Sequence, residues 1–248
     1  MIILKTPQEI AMMREGNRIL ALLFENLTPL VQPGITTAEL DKEAELFIRS
    51  HGALPAFKGY RGYPATLCTS INDEVIHGIP GPRTLKAGDI ISIDVGAFHD
   101  GFYSDAAKTF TVGKVSKKAQ RLMDVTEKAL HEGISQAVTG NHLYDISAAI
   151  QMVVESAGFS VVREFVGHGI GRALHEDPQI PNFGKRGTGL PLQEGMTFAI
   201  EPMVNEGSWK VHIRDDGWTA VTADGSLSAH FEHSIAITAS GPMILSML

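Results

Sequence analysis

The chain has 248 residues, of which 44% are apolar, so it is long enough to bury a sizeable hydrophobic core. Acidic residues outnumber basic ones by 28 to 21, and the resulting net charge of -7 argues against a surface that binds nucleic acid. A single cysteine, Cys68, excludes an internal disulfide framework and is typical of a reducing compartment, so we expect a cytoplasmic protein.

No segment predicts export or membrane insertion. The N-terminal stretch MIILKTPQEI lacks the apolar core and cleavage site of a signal peptide, and no apolar run approaches the length of a membrane span. The sequence also contains no low-complexity tract, charge block or long linker. We therefore expect one domain spanning residues 1–248, with no membrane partner.

Two helices are predicted at the start of the chain. The segment TPQE supplies a capping residue, a first-turn proline and a glutamate three positions after the cap, and apolar residues then recur at helical spacing as far as Leu27. A second capping box runs from Thr36 to Glu39, and Gly52 stands where a C-terminal cap belongs.

Strands are predicted next, and helices alternate with them along the rest of the chain. ATLCTSIN and DIISIDVGAF are rich in β-branched residues, and Asp100-Gly101 predicts a tight hairpin into FYSDAAKTFTV. Helices are expected at about residues 116 to 138 and 144 to 157. Four strand-like segments follow: SVVREFVG, MTFAIEPMV, WTAVT and SLSAHFEHSIAIT. This order predicts an α+β domain, with helices on one face of a largely antiparallel sheet.

Two aspartates interrupt the predicted hairpin, where apolar residues would be expected. If Asp100-Gly101 is a two-residue loop, Asp94 lies opposite Ala107, and Asp105 is its diagonal neighbour on the same face. A slip of one residue in the turn would send the two carboxylates to opposite faces. Two buried carboxylates this close require a positive counter-charge, whereas either one alone could be solvated on an edge strand.

Four further residues strengthen the case for a cation site. His168 and His175 lie in FVGHGIGRALHEDP, and Glu201 and Glu232 stand inside the apolar segments AIEPMV and HFEHSIAIT. Each residue alone is weak evidence for a metal site, since a histidine in a strand is more often a core residue with its hydrogen bonds satisfied, and a glutamate usually faces water.

Charge balance and ligand chemistry indicate which cations would fit. The four carboxylates would be neutralised by two divalent cations, and oxygen ligands with one imidazole favour Mn(II), Fe(II) or Co(II) over a thiolate-type zinc site. The sequence has no HExxH, CxxC, Walker or GxSxG motif to support another kind of site.

Taken together, these segments resemble a known family. The segments IDVGAFHDGFYSD, GHGIGRALHEDP, IEPM and EHSIAIT are similar to those of the bacterial type I methionine aminopeptidases, which have the pita-bread (creatinase/aminopeptidase) metallopeptidase fold. The resemblance extends from about Ile10 to the C-terminus. It implies a pseudo-twofold antiparallel sheet covered by helices, and a site for two divalent ions, which could be Co, Mn, Fe, Zn or Ni.

The resemblance assigns a role to each candidate residue. The implied metal ligands are Asp94, Asp105, His168, Glu201 and Glu232. Asp105 and Glu232 would bridge both ions, Asp94 would complete one ion, and His168 with Glu201 would complete the other.

Catalytic and substrate-binding roles are implied in the same way. Glu201 would also shuttle the proton, while His175 and His77 would contact the substrate at the developing oxyanion and at the scissile nitrogen. The methionine side chain would occupy a pocket formed by Tyr60, Tyr63, Cys68 and Trp218, with Phe57 nearby. Without the resemblance, the two histidines would read as ordinary loop residues and the aromatic residues as packing.

The implied function is removal of the initiator methionine from nascent proteins, with preference for a small second residue and a deformylated amine. The protein would act as a monomer, and any contact with the ribosome would use the catalytic domain itself. Two alternatives remain. Proline-specific peptidases share the fold but usually carry a large N-terminal domain, and non-catalytic binding modules of the same fold normally lose metal ligands.

Three positions depart from the family pattern. Leu174 stands where an aromatic residue is common, His230 where a glutamine is common, and Gly96 where a hydroxyl often supports the first aspartate. These differences concern the shape of the methionine pocket and the support of Asp94 rather than the class of reaction.

Overall fold

The structure is a computed structural model that describes residues 2–248. The helices are α1 (Pro7–Leu27), α2 (Thr37–Ser50), α3 (Lys117–Ser135) and α4 (Leu143–Ser156), with a short 3-10 helix at Tyr60–Gly62. The strands are β1 (Leu54–Pro55), β2 (Leu67–Ile71), β3 (Glu74–Ile76), β4 (Ile90–His99), β5 (Phe102–Thr111), β6 (Ser160–Val161), β7 (Gly167–Gly169), β8 (Glu176–Ile180), β9 (Thr197–Ile200), β10 (Met203–Asn205), β11 (Val211–Ile213), β12 (Ala220–Thr222), β13 (Ser228–His230), β14 (Glu232–Thr238) and β15 (Gly241–Ile244).

The first two helices begin at the predicted capping boxes. The Thr6 hydroxyl accepts a hydrogen bond from the backbone N–H of Glu9, and the Glu9 carboxylate accepts one from the Thr6 N–H at 2.8 Å. Thr36 and Glu39 repeat this exchange at the start of α2. Each box satisfies backbone donors that a helix start leaves free.

Most strands belong to one nine-stranded antiparallel sheet. Its order is β1-β4-β5-β14-β9-β7-β8, with β2 also paired to β4 and β15 to β14. Two three-stranded sheets, β13-β10-β6 and β11-β12-β3, lie beside it.

The β4–β5 hairpin confirms the predicted register. His99 pairs with Phe102 across a two-residue loop in which Asp100 and Gly101 have φ of 47° and 85°, the left-handed values that a tight hairpin turn of this kind requires. Asp94 is therefore opposite Ala107, and Gly96 is opposite Asp105.

All four helices cover one face of the large sheet. Ala107 pairs with Asp94 on one side and with Glu232 on the other, so these three residues share a face. The opposite face carries Ile93 of β4, which packs in one core cluster with α1 and α2, and Ile235 of β14, which packs in another with α3 and α4. The carboxylates therefore lie on the face of the sheet that is not covered by the helices.

Two predicted strands are each broken where the chain passes between the large sheet and a small one. MTFAIEPMV divides into β9 and β10 around Pro202, whose missing N–H cannot join a strand ladder. SLSAHFEHSIAIT divides into β13 and β14 at Phe231.

Other boundaries differ from the prediction too. SVVREFVG forms a strand only at Ser160–Val161 and again from Gly167. Helix α3 stops at Ser135 because the N–H groups of Gln136 and Ala137 bond three residues back, in a tightened last turn.

Within residues 2–248, no helix combines the length and apolar character needed to cross a membrane.

Candidate metal centre

Three carboxylates project from adjacent strands of the large sheet. Asp94 lies on β4, Asp105 on β5 and Glu232 on β14, and the side chains of all three line one pocket. One oxygen of each carboxylate, Asp94 Oδ1, Asp105 Oδ1 and Glu232 Oε1, is buried without a hydrogen-bond partner among the described residues. Buried polar atoms normally have a partner, so this concentration of unpartnered oxygens indicates a cation-binding site.

His168 and Glu201 complete the group from the other half of the sheet. His168 on β7 pairs with Ala199 of β9, and Glu201 follows the end of that strand. The Nε2 atom of His168 lies 3.6 Å from Oε1 of Glu201 and 3.8 Å from Oδ2 of Asp105. Ligand atoms of Asp105, His168 and Glu232 all lie within 4.8 Å of one another, close enough to hold one metal ion.

Hydrogen bonding prepares His168 to act as a ligand. Its Nδ1 atom lies 2.9 Å from the carbonyl oxygen of Gly169, which can only accept a hydrogen bond. The ring proton therefore occupies Nδ1, and the Nε2 lone pair remains free to bind a cation. Burial also lowers the pKa of His168 to about 3, so the ring is neutral at pH 7.

The electrostatics of the pocket favour a bound cation. Burial raises the pKa of Asp94 to about 7, and burial together with the neighbouring carboxylates holds the pKa values of Asp105, Glu201 and Glu232 well above their usual range. Divalent cations supply the positive charge that would let these groups ionise. The donor set thus fits a divalent metal.

The residues predicted to contact substrate surround the same pocket, which encloses about 660 Å³ including its open mouth. The predicted lining residues, all of which the structure brings together here, are Phe57, Tyr60, Tyr63, Cys68, His77, His175 and Trp218.

The two predicted catalytic histidines have different surroundings. The His175 ring stacks on Tyr60 with centroids 5.3 Å apart, and its Nδ1 lies 2.9 Å from the Tyr60 hydroxyl. His77 has a positive φ of 60°, an uncommon backbone conformation for a residue other than glycine, and its ring meets Phe165 edge-on. Burial lowers the pKa of His175, and it lowers that of His77 to about 4, so both rings are neutral at pH 7.

Aromatic and apolar side chains line the part of the pocket that is predicted to hold methionine. Tyr63 packs edge-on against Trp218 with centroids 5.1 Å apart, and its hydroxyl lies within hydrogen-bond distance of two backbone carbonyls. Burial raises the pKa of the Cys68 thiol, so it is an apolar wall rather than a nucleophile. Phe57 packs so closely on the backbone of Gly96 that a Cβ at position 96 would lie only 2.6 Å from Phe57 Cε1.

Sequence reasoning gave no role to Arg61 or Asn182, which lie near the site. Arg61 lines the pocket beside Leu174, which is one of the three positions expected to affect the shape of the methionine pocket. The Asn182 side chain donates a hydrogen bond to the backbone oxygen of Glu201 at 3.0 Å. His230 is buried beside Glu201, with Nε2 3.8 Å from Oε2. Arg61 stands between the predicted pocket residues Tyr60 and Tyr63 in the sequence, and this position could have indicated that it lines the pocket. Nothing in the sequence pointed to Asn182.

Comparisons with known proteins agree with this geometry. Residues 11–239 match metallopeptidase family M24. A methionine aminopeptidase of Clostridium perfringens is 56% identical over 248 residues, which cover 100% of both chains. The crystal structure of a methionine aminopeptidase from Thermotoga maritima matches with a TM-score of 0.98 at 47% identity, also over 100% of both chains.

Proline-specific peptidases are more distant. The prolidase of Pyrococcus horikoshii matches with a TM-score of 0.80 but is only 20% identical, and the match covers 98% of this chain and 63% of the prolidase. That likeness shows a shared fold alone.

The predicted α+β pita-bread fold is confirmed by these relatives and by the antiparallel sheet with a helix pair over each half. Membership in a metallopeptidase family, together with the buried ligand cluster, means that the protein uses a divalent metal ion in peptide hydrolysis. The chain belongs to metallopeptidase family M24 and, within it, to the type I methionine aminopeptidases.

Proposed function

We propose that this protein removes the N-terminal methionine from nascent polypeptides whose amine is deformylated and whose second residue is small. The observation that carries this proposal is the arrangement of one pocket, which has ionisable ligands on one side and apolar aromatic walls on the other. A neutral, flexible thioether side chain suits those walls, and a free amine suits the acidic side.

We propose a site for two divalent ions, with the ligands Asp94, Asp105, His168, Glu201 and Glu232. The charge of four carboxylates and the three unpartnered oxygens support two ions rather than one. When bound, such ions would activate water, polarise the scissile carbonyl and bind the free amine of the substrate.

The side chains of the protein would move and hold the proton. Glu201, which lies at the edge of the ligand cluster, would take a proton from the attacking water and return it to the leaving amine. With the Tyr60 hydroxyl donating to Nδ1, neutral His175 carries its proton on Nε2 and can donate to the developing oxyanion. His77 would contact the scissile nitrogen.

Methionine would be selected by the side chains of Tyr60, Tyr63, Cys68 and Trp218, with Phe57 nearby. Leu174 is smaller than an aromatic residue, so we expect a roomier pocket that also accepts norleucine.

Peptide cleavage by the Mn²⁺-loaded protein tests the proposal. We expect rapid release of methionine from Met-Ala-Ser, and none from formyl-Met-Ala-Ser, because formylation turns the amine into an amide whose delocalised lone pair is a poor metal ligand. Equal rates on these two peptides would contradict the amine anchor. Cleavage of Leu-Ala-Ser as fast as Met-Ala-Ser would contradict the methionine assignment.

Adding an Ala-Pro peptide to this panel addresses the alternatives. Preference for Ala-Pro peptides would make the protein a proline-specific peptidase, and no cleavage with bound metal would favour a binding module.

We further propose that residues 1–248 form one monomeric domain working in the cytoplasm, where nascent chains emerge from the ribosome. The sheet that continues from β1 to β8 supports a single domain.

A further inference from the structure

His230 is a fully buried imidazole without a partner. It is 1% exposed, and neither ring nitrogen makes a hydrogen bond to any described residue. An unpaired buried imidazole is costly, so a group of this kind in a folded protein calls for an explanation. It is not among the residues that line the substrate pocket, although its neighbour Glu201 is.

The backbone of His230 is held firmly in place. Its N–H donates to the Thr109 hydroxyl at 3.0 Å, and that hydroxyl donates to the His230 carbonyl oxygen at 2.7 Å. His230 also pairs with Met203 of β10, two residues beyond Glu201. Strand pairing therefore places the imidazole beside Glu201.

The position of the ring relative to Glu201 suggests what it does. Its Nε2 lies 3.8 Å from Oε2 of Glu201, while Oε1 lies 3.6 Å from Nε2 of His168. Each carboxylate oxygen of Glu201 thus faces a different imidazole. A movement of about 1 Å would bring Nε2 of His230 into hydrogen-bond range of Oε2.

We propose that His230 is a positioning residue, whose Nε2–H donates a hydrogen bond to Oε2 of Glu201 and keeps Oε1 directed towards His168. This role rests on the proposed function of Glu201 as ligand and proton carrier. The hydrogen bond gives Nε2 of the buried ring a partner and restricts rotation of the carboxylate. Outer partners of metal ligands commonly act in this way, and their loss typically costs about 10- to 100-fold in metal affinity or activity.

Four variants separate this role from simple packing. His230→Gln keeps an amide N–H at the reach of Nε2, His230→Asn keeps a polar group without that reach, and His230→Leu keeps volume without a donor. The matched control is His99→Leu, because His99 also has a buried, unpartnered Nδ1 but lies on the sheet face opposite Asp94.

Two measurements are compared across these variants: Mn²⁺ affinity by calorimetric titration of metal-free protein, and kcat and KM on Met-Ala-Ser. We expect His230→Leu and His230→Asn to lower kcat about 10- to 100-fold, with KM within about threefold, and to weaken Mn²⁺ binding about tenfold. His230→Gln should recover to within about threefold of the parent protein, and His99→Leu should match it. Should His230→Leu fail to fold, the polar pair His230→Gln and His230→Asn still gives the comparison.

A double-mutant cycle on Mn²⁺ affinity identifies the partner. In a Glu201→Ala background, His230→Leu should have no further effect on affinity. An undiminished effect in that background would overturn the proposal, as would equal losses in the Gln and Leu variants or no loss in either. Failure of the parent protein to cleave Met-Ala-Ser would count against the proposed function, whereas the affinity cycle would still test the contact between His230 and Glu201.

Discussion

The hydroxyl oxygen of Tyr60 lies 2.9 Å from Nδ1 of His175, on rings that stack 22° from parallel. We expect the Tyr60 hydroxyl to donate to Nδ1, which would leave neutral His175 with its proton on Nε2. In that arrangement, Tyr60 sets the hydrogen-bonding capacity of the histidine that it stacks on.

Tyr60→Phe removes this hydrogen bond but leaves the ring stacking intact. We expect kcat/KM on a Met-Ala peptide to fall about 2- to 10-fold, the equivalent of one hydrogen bond, with unchanged Mn²⁺ affinity. Tyr63→Phe is the matched control, because the Tyr63 hydroxyl contacts the backbone oxygens of Leu67 and Gly78. It should instead lower the free energy of unfolding by about 1 kcal/mol. Loss of stability without loss of activity in Tyr60→Phe would count against the tautomer role.

Gly96→Ala tests the contact between Phe57 and the strand that carries Asp94. The new Cβ would lie 2.6 Å from Phe57 Cε1 and 3.0 Å from Ala56 Cβ, so Phe57 must move and alter the pocket wall. We expect a loss of about 1 to 3 kcal/mol in the free energy of unfolding and a higher KM for methionyl peptides.

A second substitution checks the cause of that effect. In the double variant Gly96→Ala/Phe57→Leu, the smaller leucine side chain replaces the phenylalanine ring and relieves the clash. This variant should therefore recover part of the lost stability. Chemical denaturation and peptide kinetics measure both effects. A double variant no more stable than Gly96→Ala would mean that the strain lies elsewhere.

Local signals in the sequence predicted the hairpin and its consequence. The Asp100-Gly101 loop fixes the register of β4 and β5 through positive φ at both positions, and the register alone puts Asp94 and Asp105 on one face. The capping boxes located the first two helices because they too are local signals, in which the interacting residues are only three positions apart in the sequence.

The rest of the site depends on pairing between distant strands. Glu232 reaches Asp94 only because β14 pairs with β5, and His168 reaches Glu201 only because β7 pairs with β9. No turn or periodicity specifies such pairings, so these residues were grouped by charge balance and family resemblance. The hydrogen bond from Asn182 to Glu201 likewise joins segments that no local pattern connects.

Metal removal should make stability depend on pH in a specific direction. In the unfolded chain, carboxyl groups titrate near pH 4, whereas burial raises the pKa of Asp94 to about 7 and those of Asp105, Glu201 and Glu232 well above their usual range. The metal-free folded state therefore holds more protons than the unfolded state, and its stability falls as pH rises through these pKa values. Buried histidines have the opposite effect, but only below about pH 6.5, because above it they are neutral in both states.

Between pH 6.5 and 8.5 we thus expect the metal-free protein to lose stability, by up to about 1.4 kcal/mol per pH unit for each titrating carboxyl group. The Mn²⁺-loaded protein should show little slope over this range, because bound carboxylates stay ionised. Thermal unfolding with chelator or with Mn²⁺ at three pH values measures the difference. Asp94→Asn should reduce the slope, and a metal-free protein that is equally stable at all three values would contradict the raised pKa values.

Glu201→Gln and Asp94→Ala separate proton transfer from metal binding. Glutamine keeps the shape and one ligand oxygen of Glu201 but cannot carry the proton, so kcat should fall about 10² to 10⁴ fold with little change in KM. Asp94→Ala removes a ligand, so its activity should fall through weaker binding of an ion and recover in part with excess Mn²⁺. Calorimetric titration beside kinetics on a Met-Ala peptide distinguishes the two. If Glu201→Gln turns over within a few-fold of the parent protein with its metal bound, another group carries the proton, and Glu201 serves only as a ligand.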